Sequence, residues 1–279
     1  MEIQRLIDAL STPDAYPEDV DRVEVIQTHI SVVFLTGEWA YKIKKPVDLE
    51  FVDYSTLAKR RRYCDREVAL NRRLAQEVYR GVVPVVKKDG EIRIDPEDAA
   101  GETIEWAVKM VRLPDEMTFQ SKLRAGDIGN EDFEKLARRM AEFYAEADRG
   151  EDVSEYARFD AVSQNVRDNL RAAEQQRGEL LHPTLYDELV TAVEANLDEL
   201  EEVIERRAEA GVARDTHGDL RLEHVYERPE REGRPYVVVD CIEFNDAFRY
   251  ADPLSDVGFM AMDLQHEGAW ACAEVFRDA

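Results

Sequence analysis

The stretch from 216 to 264 reads T-H-G-D-L-R-L-E-H-V at 216–225, V-V-V-D-C-I-E-F-N-D at 237–246 and A-D-P-L-S-D-V-G-F-M-A-M-D-L at 251–264. The first piece places His217, Asp219 and His224 close together in the chain. A charged, hairpin-like spacer leads to the second piece, whose apolar run ends on Asp240. Because such runs form buried strands, a hairpin here can bring Asp219 and Asp240 face to face.

This pair of acids fits one kind of chemistry. A magnesium-dependent phosphoryl transfer needs one carboxylate that orients the attacking hydroxyl and another that holds the metal. The hairpin therefore predicts a phosphoryl-transfer site at Asp219 and Asp240.

Composition narrows the class of protein. The chain has 279 residues, of which 44% are hydrophobic, enough for one large or two small domains. It has no apolar run long enough for a membrane span, and its N-terminus lacks the basic flank of a signal peptide. Its three cysteines are widely spaced and form no zinc pattern. We therefore expect a reduced, cytoplasmic protein.

The charge is strongly acidic, with a formal net charge of −24. Such a surface repels nucleic acids and anionic membranes, so neither is expected as a partner. Only nine of the 37 basic residues are lysines. A salty cytoplasm and a GC-rich genome would each explain this bias, and composition does not choose between them.

The order of predicted elements indicates two lobes. Short β-prone runs surround one helix, predicted from about residue 55 to 78, and Asp89-Gly90 marks a hairpin turn. Helical patterns dominate after Pro114, the first of them preceded by Asn130 as a candidate N-cap. We expect an α+β fold with a β-rich lobe at 1–112 and a helix-rich lobe at 113–279.

An ion pair is predicted inside the first lobe. In the run W-A-Y-K-I-K-K, alternation places Lys42 and Lys44 on one face of a strand. Glu67 shares a helix face with apolar residues, where an unpaired charge would be very costly. A Lys42–Glu67 pair would satisfy Glu67 and position Lys42 on nucleotide phosphates. The alternative is a partly exposed glutamate among solvated basic residues.

The order strand lysine, helix glutamate, connector, H-G-D loop and strand-end aspartate resembles the protein-kinase-like fold. The H-G-D loop and the segment I-E-F-N-D…D-P-L-S-D-V-G-F resemble its aminoglycoside phosphotransferase-like branch, especially proteins in which this domain is often fused to a P-loop kinase domain. The resemblance covers roughly residues 20 to 265. It implies a bilobal fold in which a smaller, β-rich lobe binds the nucleotide and a larger helical lobe carries the catalytic loop and the metal site. ATP and Mg²⁺ are then expected between the two lobes.

The resemblance also implies roles for individual residues. Asp219 corresponds to the catalytic base, His217 to the histidine that braces it, and Asp240 to the metal-binding aspartate. Lys42 corresponds to the phosphate-binding lysine, with Lys44 as the second choice, and Glu67 to its partner. The remaining correspondences are the adenine-contacting connector that begins at Lys109, Met110 and Val111, and the downstream acids Asp252 and Asp256, which tie a helix to the loop.

Two departures from the family pattern bear on activity. His224 stands where a second metal ligand, asparagine, is expected, and neutral imidazole is a poor ligand for Mg²⁺. Glu243 could replace it as an oxygen ligand, or Asp240 could hold the metal alone. The turn between the first two strands, T-H-I-S, has no glycine, so hydroxyl or backbone groups of Thr28 and Ser31 would have to cover the phosphates.

Three functions remain open from the sequence. The first is an ATP- and Mg²⁺-dependent phosphotransferase acting on a hydroxyl of a small molecule, for which an acidic protein suits a cationic or polyhydroxylated acceptor. The second is a catalytically impaired kinase-like module that binds a nucleotide or a protein. The third is a metal-dependent phosphoesterase that uses His217, Asp219, His224 and Asp240.

Overall fold

The structure, a computed structural model, describes residues 3–49, 51–94, 101–228 and 235–279. The middle of the charged spacer, 229–234, and the end of one predicted strand at Asp95 lie outside the described residues. Contacts between residues divide the chain into two compact units. The first unit comprises Met1–Arg139, Asp219–Asn245 and Met260–Ala279, and the second comprises Met140–Gly218 and Asp246–Phe259.

An antiparallel six-stranded sheet forms the centre of the first unit, in the order β1-β2-β3-β8-β6-β7. Its strands are β1 (Val23–Gln27), β2 (Ser31–Thr36), β3 (Trp39–Lys44), β6 (Tyr79–Lys88), β7 (Glu91–Ile94) and β8 (Glu102–Val111). A small hairpin, β4 (Asp48–Leu49) and β5 (Val52–Asp53), follows β3. The predicted Asp89-Gly90 turn is present, and both residues have positive φ, as a two-residue hairpin of this type requires.

Two apolar layers cover the two faces of this sheet. One face packs on helix α1 (Ile3–Leu10) through a core that includes Tyr41 and Ile43. The other face packs on helix α2 (Leu57–Ala75) through a core that includes Val108 and Val237. Strand alternation therefore directs Lys42 and Lys44 towards α2, away from the α1 core.

The other elements of the first unit connect to this sheet and helix. They are α3 (Phe119–Ala125), the start of α4 (Asn130–Glu146), the hairpin of β10 (Val225–Glu227) and β11 (Tyr236–Val238), the end of α8 (Leu254–His266), and α9 (Trp270–Asp278). Val237 of β11 packs in the α2 core, and the Tyr236 ring packs edge-to-face on Phe119 of α3. The hairpin of β10 and β11 thus belongs to the same unit as the sheet and α2, and the predicted lobes 1–112 and 113–279 stay a prediction.

The second unit is mainly helical. It contains the rest of α4 and α8 together with α5 (Glu151–Glu155), α6 (Phe159–Glu174), α7 (Pro183–Glu209), and the short strands β9 (Arg214–Asp215) and β12 (Tyr250–Ala251). One small apolar cluster of this unit consists of Val153, Ala157, Ala208 and Ala213. The predicted α+β class, an antiparallel sheet with one long helix and a helix-rich remainder, is confirmed. No helix within the described ranges is both long and apolar enough to cross a bilayer.

Candidate active site

Five charged side chains of the first unit form a continuous lysine–carboxylate cluster: Lys42, Lys44, Glu67, Asp240 and Glu243. Glu67, which is fully buried, faces one lysine with each oxygen. Its Oε1 lies 3.0 Å from Lys42 Nζ, and its Oε2 accepts a hydrogen bond of 2.8 Å from Lys44 Nζ. The predicted Lys42–Glu67 ion pair is thus present, and a second lysine shares the same carboxylate.

The two lysines differ in their access to solvent. The Lys44 side chain is 1% exposed and also donates to Glu243. The Lys42 side chain is 13% exposed and donates to Asp240 Oδ1 at 2.5 Å. Lys42 is consequently the lysine at the open edge of the cluster, whereas Lys44 lies inside it.

The loop after β11 presents Asp240 in a constrained backbone conformation. Its φ is +62°, a left-handed value that non-glycine residues seldom adopt and that surrounding contacts must maintain. The Asp240 amide donates to the Tyr79 hydroxyl at 3.2 Å, and the next amide, of Cys241, donates to Asn71 Oδ1 at 2.9 Å. Both acceptors belong to α2 or to the start of β6, so the loop is attached to the frame that also carries Glu67.

Glu243 provides a third attachment of the same loop. Its Oε1 accepts a hydrogen bond of 2.6 Å from the buried Tyr54 hydroxyl and another from Lys44 Nζ. The Glu243 side chain is 5% exposed, compared with 47% for Asp240. Of these two loop carboxylates, Asp240 is the one that reaches solvent.

Electrostatics favour the charged forms of Lys42, Asp240 and Glu243. Burial alone would lower the pKa of Lys42, but Asp240, Glu67 and Glu243 raise it well above its ordinary value. Burial alone would raise the pKa of Asp240 and of Glu243, but the lysines hold both carboxyl groups below their ordinary range. Two cations therefore share three carboxylates.

The predicted base, Asp219, lies half-buried at the start of the loop before β10. Burial raises its pKa, opposed by His224 and Arg221 and reinforced by the negative charge of Asp240. The loop is fixed from α8, because Asp263 accepts from the Leu222 amide at 3.1 Å and pairs with Arg221 at 3.0 Å. A carboxylate with a raised pKa suits a group that accepts a proton during a reaction.

His224 contacts the Asp219 backbone. Its Nδ1 lies 2.9 Å from the Asp219 carbonyl oxygen and 3.7 Å from Asp219 Oδ2. Since a carbonyl oxygen only accepts, Nδ1 carries the proton of this hydrogen bond. His224 thus braces the loop through the nitrogen that faces Asp219.

His217 belongs to the second unit and is fully buried. The amides of His217 and Gly218 donate to the two oxygens of Asp256, each at 2.9 Å, and Tyr144 donates to the same carboxylate at 3.0 Å. Asp256 therefore ties its helix to the H-G-D segment, as the resemblance implies. Asp252 instead pairs with Arg207 at 2.5 Å.

The connector residues lie in the paired end of β8. Lys109 and Met110 pair with both β3 and β6, so their backbone groups are part of the sheet. The Lys109 side chain is on the face opposite Lys42, where it pairs with Glu18 and lies 4.3 Å from the Trp39 ring centre. The Val111 amide donates to the Val78 carbonyl at 2.9 Å. The Met110 side chain lies beside Ala40, on the same face of the sheet as Lys42.

The turn between β1 and β2 is closed by its own hydrogen bonds. Thr28 Oγ1 accepts from the Ser31 amide at 3.0 Å and lies 2.9 Å from Ser31 Oγ, and the Lys45 ammonium donates to the Thr28 carbonyl at 2.6 Å. A phosphate would have to compete with these bonds for the two hydroxyl groups.

The donor set fits a magnesium ion that brings most of its own ligands. Within the described ranges no three His, Cys, Asp or Glu side chains are grouped as a metal site. Glu243 is bound by Lys44 and Tyr54, and His224 faces the Asp219 carbonyl. Mg²⁺ is commonly held by one or two carboxylates, with phosphates and waters completing its shell. The half-exposed Asp240 matches that mode.

Comparisons with known proteins give relatives but no defined family. No protein-family model matches the chain. Uncharacterised proteins of Mycobacterium tuberculosis strain H37Rv and of Mycobacterium bovis are 30% identical to it over 258 residues, or 92% of this chain. The match covers 49% of each relative, so the chain spans about half the length of these curated proteins.

Two solved structures also match the chain at low identity. One is a choline/ethanolamine kinase family protein from Mesorhizobium loti, with a TM-score of 0.40 and 14% identity, covering 99% of this chain and 76% of that one. The other is an ethanolamine kinase of Plasmodium vivax, with a TM-score of 0.48 and 10% identity, covering 92% of this chain and 65% of that one.

Sequence reasoning did not identify three groups that position the site. Tyr54 and Tyr79 lie outside the motifs, and nothing in their surroundings marks them as partners of the Asp240 loop. Asn71 follows Glu67 by one helical turn, a spacing that predicts the same helix face, but its bond to the Cys241 amide is visible only in the tertiary structure. Lys44, the second choice for phosphate binding, is the internal partner of Glu67 and Glu243.

Proposed function

We propose that the protein is an ATP- and Mg²⁺-dependent phosphotransferase that acts on a hydroxyl group of a small molecule. The observation that supports this most directly is the pairing of Lys42 with both Glu67 and Asp240. A cation at the open edge of the cluster beside a half-exposed carboxylate is the combination that a metal–nucleotide complex needs.

The proposed roles follow from these positions. Lys42 would exchange its contact with Asp240 for a nucleotide phosphate, while Glu67 keeps it in place. Asp240 would hold the metal, which, when bound, neutralises charge on the phosphates. Asp219 would orient the acceptor hydroxyl and take its proton, a role that its raised pKa favours.

The acceptor that best suits this site is cationic or polyhydroxylated. The negative charges of Asp240 and Glu223 contribute to raising the pKa of both Asp219 and Tyr226, so two further carboxylates act on the proposed base. The net charge of −24 acts in the same direction.

The test is the thermal stability of the chain with and without Mg·ATP. Ligand that binds only the folded state raises the melting temperature, so wild type should show an upward shift and Asp240→Ala should show none. Asp53→Ala is a matched control, because Asp53 is 39% exposed and pairs with a lysine outside the cluster. Absence of a shift in wild type would refute nucleotide binding.

A second candidate, a nucleotide-binding module without turnover, is favoured by His224 and by the closed Thr28–Ser31 turn. Neither supplies the second metal ligand or the glycine-rich cover that the family pattern leads one to expect. A screen of hydroxyl-bearing acceptors with ATP separates the two candidates, because binding without phosphate transfer to any acceptor would support the module.

A further inference from the structure

Lys44 and Glu243 form an ion pair that the proposed reaction does not use directly. The pair is buried, and it joins β3 to the loop that presents Asp240, three residues before Glu243. Burying an ion pair costs desolvation energy that hydrophobic side chains of similar volume would avoid. This cost suggests that the Lys44–Glu243 pair has a function besides packing.

The geometry points to a positioning role, which rests on the function proposed above. We propose that Lys44 and Glu243 are positioning residues that keep Asp240 available to a metal ion. They act on Asp240 in two ways: through the loop that Glu243 anchors, and through the sharing of charge within the cluster.

The anchoring argument starts from the left-handed Asp240 backbone. A residue with a φ of +62° keeps this conformation only if its neighbours hold it. Tyr79 and Asn71 bind the loop by its amides at 240 and 241, and Glu243 binds it by a side chain farther along. Losing the Glu243 attachment would remove one of the contacts that hold this end of the loop.

The charge argument concerns Lys42. Glu67 is shared between Lys42 and Lys44, so the two lysines compete for one carboxylate. If Glu243 were neutral, Lys44 would satisfy Glu67 more fully, and Lys42 would turn more of its attraction to Asp240. A tighter Lys42–Asp240 pair competes with the metal for the same carboxylate.

The charge argument predicts a weaker hold on the metal in Glu243→Gln. This substitution keeps an oxygen that can accept from Tyr54 and Lys44 but removes the charge. Groups that orient a metal ligand from the second layer typically change metal affinity by about 10- to 100-fold. We expect the Mg²⁺ concentration that gives half-maximal ADP binding to rise about tenfold.

The experiment is calorimetric titration of the full chain with ADP at a series of Mg²⁺ concentrations. The matched control is Glu105→Gln, because Glu105 is 3% exposed on β8 and accepts two bonds from Arg60 of α2, at 2.8 and 2.9 Å. Glu105→Gln should keep the wild-type Mg²⁺ midpoint within about twofold, since Glu105 does not bind the Asp240 loop. An unchanged midpoint in Glu243→Gln, or an equal shift in both variants, would overturn the positioning role.

A conservative variant covers the case in which Glu243→Gln does not fold. Glu243→Asp keeps the charge and shortens the side chain. Its Mg²⁺ midpoint should therefore lie between those of wild type and Glu243→Gln, about threefold above wild type. A wild-type midpoint in this variant would contradict the anchoring role. If wild type itself shows no Mg²⁺-dependent ADP binding, the proposed function fails, a result distinct from wild-type binding that the Glu243 variants leave unchanged.

Discussion

Removing the Lys44 ammonium should destabilise the first unit strongly. In Lys44→Met, the fully buried Glu67 and the 4% exposed Glu243 would lose a cation that both contact. Removing one partner of a buried ion pair typically costs about 3 to 5 kcal/mol. Because Lys42 still faces Glu67 and Tyr54 still donates to Glu243, we expect the lower part of that range.

Tryptophan fluorescence in urea can measure this loss. The chain has three tryptophans, Trp39, Trp106 and Trp270, and all belong to the first unit. For a slope of about 2 to 3 kcal/mol per molar, a loss of about 3 kcal/mol lowers the urea midpoint by about 1 to 1.5 M. The fluorescence transition therefore reports on the unit that contains the cluster.

Two further variants test the reasoning. Lys45→Met, which removes a bond to the Thr28 carbonyl at an exposed site, should cost about 1 kcal/mol or less. Adding Glu243→Gln to Lys44→Met removes a stranded buried charge and should recover part of the loss. Equal midpoints for Lys44→Met and Lys45→Met would refute the view that the buried charges depend on Lys44.

Three more predictions concern the same unit. The pKa of Glu243 is lowered in the folded state, so its charge stabilises the fold at pH values above its ordinary pKa near 4.5. This stabilisation is lost as the pH falls through the folded-state pKa. The urea midpoint should therefore decline less in acid for Glu243→Gln than for wild type. Tyr79→Phe leaves the Asp240 amide without its acceptor and should cost about 1 to 2 kcal/mol in the same assay, whereas an unchanged midpoint would mean that water replaces the hydroxyl. Gly90→Ala should cost about 1 to 2 kcal/mol through its φ of +94° alone, since nothing lies within 4 Å of an added Cβ; a neutral result would show that the turn rearranges.

Local patterns predicted the fold well where the chain is periodic. The alternation around Lys42 and the Asp89-Gly90 turn each follow from rules that act over a few residues, and the structure has both. The division into units was harder to predict, because it depends on Val237 packing in the α2 core, a contact between residues far apart in the chain. Sequence spacing contains no measure of such packing.

The site shows the same contrast. The Lys42–Glu67 pair could be predicted because a carboxylate on an apolar helix face requires a cation. The position of Lys44 could not be separated from that of Lys42, since both lie on one strand face and only depth in the structure distinguishes them. For Glu243, its position three residues after the predicted metal-binding Asp240 indicated a ligand, whereas its contacts with Lys44 and Tyr54 could be seen only in the structure.

In the basic run K-R-R-R at 59–62, three of the four side chains have defined contacts in the structure. Lys59 pairs with Asp53, Arg60 with Glu105, and Arg61 stacks on the Trp106 ring at 4.0 Å. These three contacts attach the start of α2 to Asp53 of β5 and to Glu105 and Trp106 of β8.

The cluster also sets a limit on which basic residue can occupy β3. A lysine offers a compact ammonium whose donors radiate from one atom, so it can serve carboxylates that approach from different elements, as Glu67 and Asp240 do around Lys42. An arginine directs paired donors at one carboxylate in a plane and needs a longer, flatter space. In a chain that uses arginine at 28 of its 37 basic positions, Lys42 and Lys44 are places where that otherwise common exchange would not be neutral.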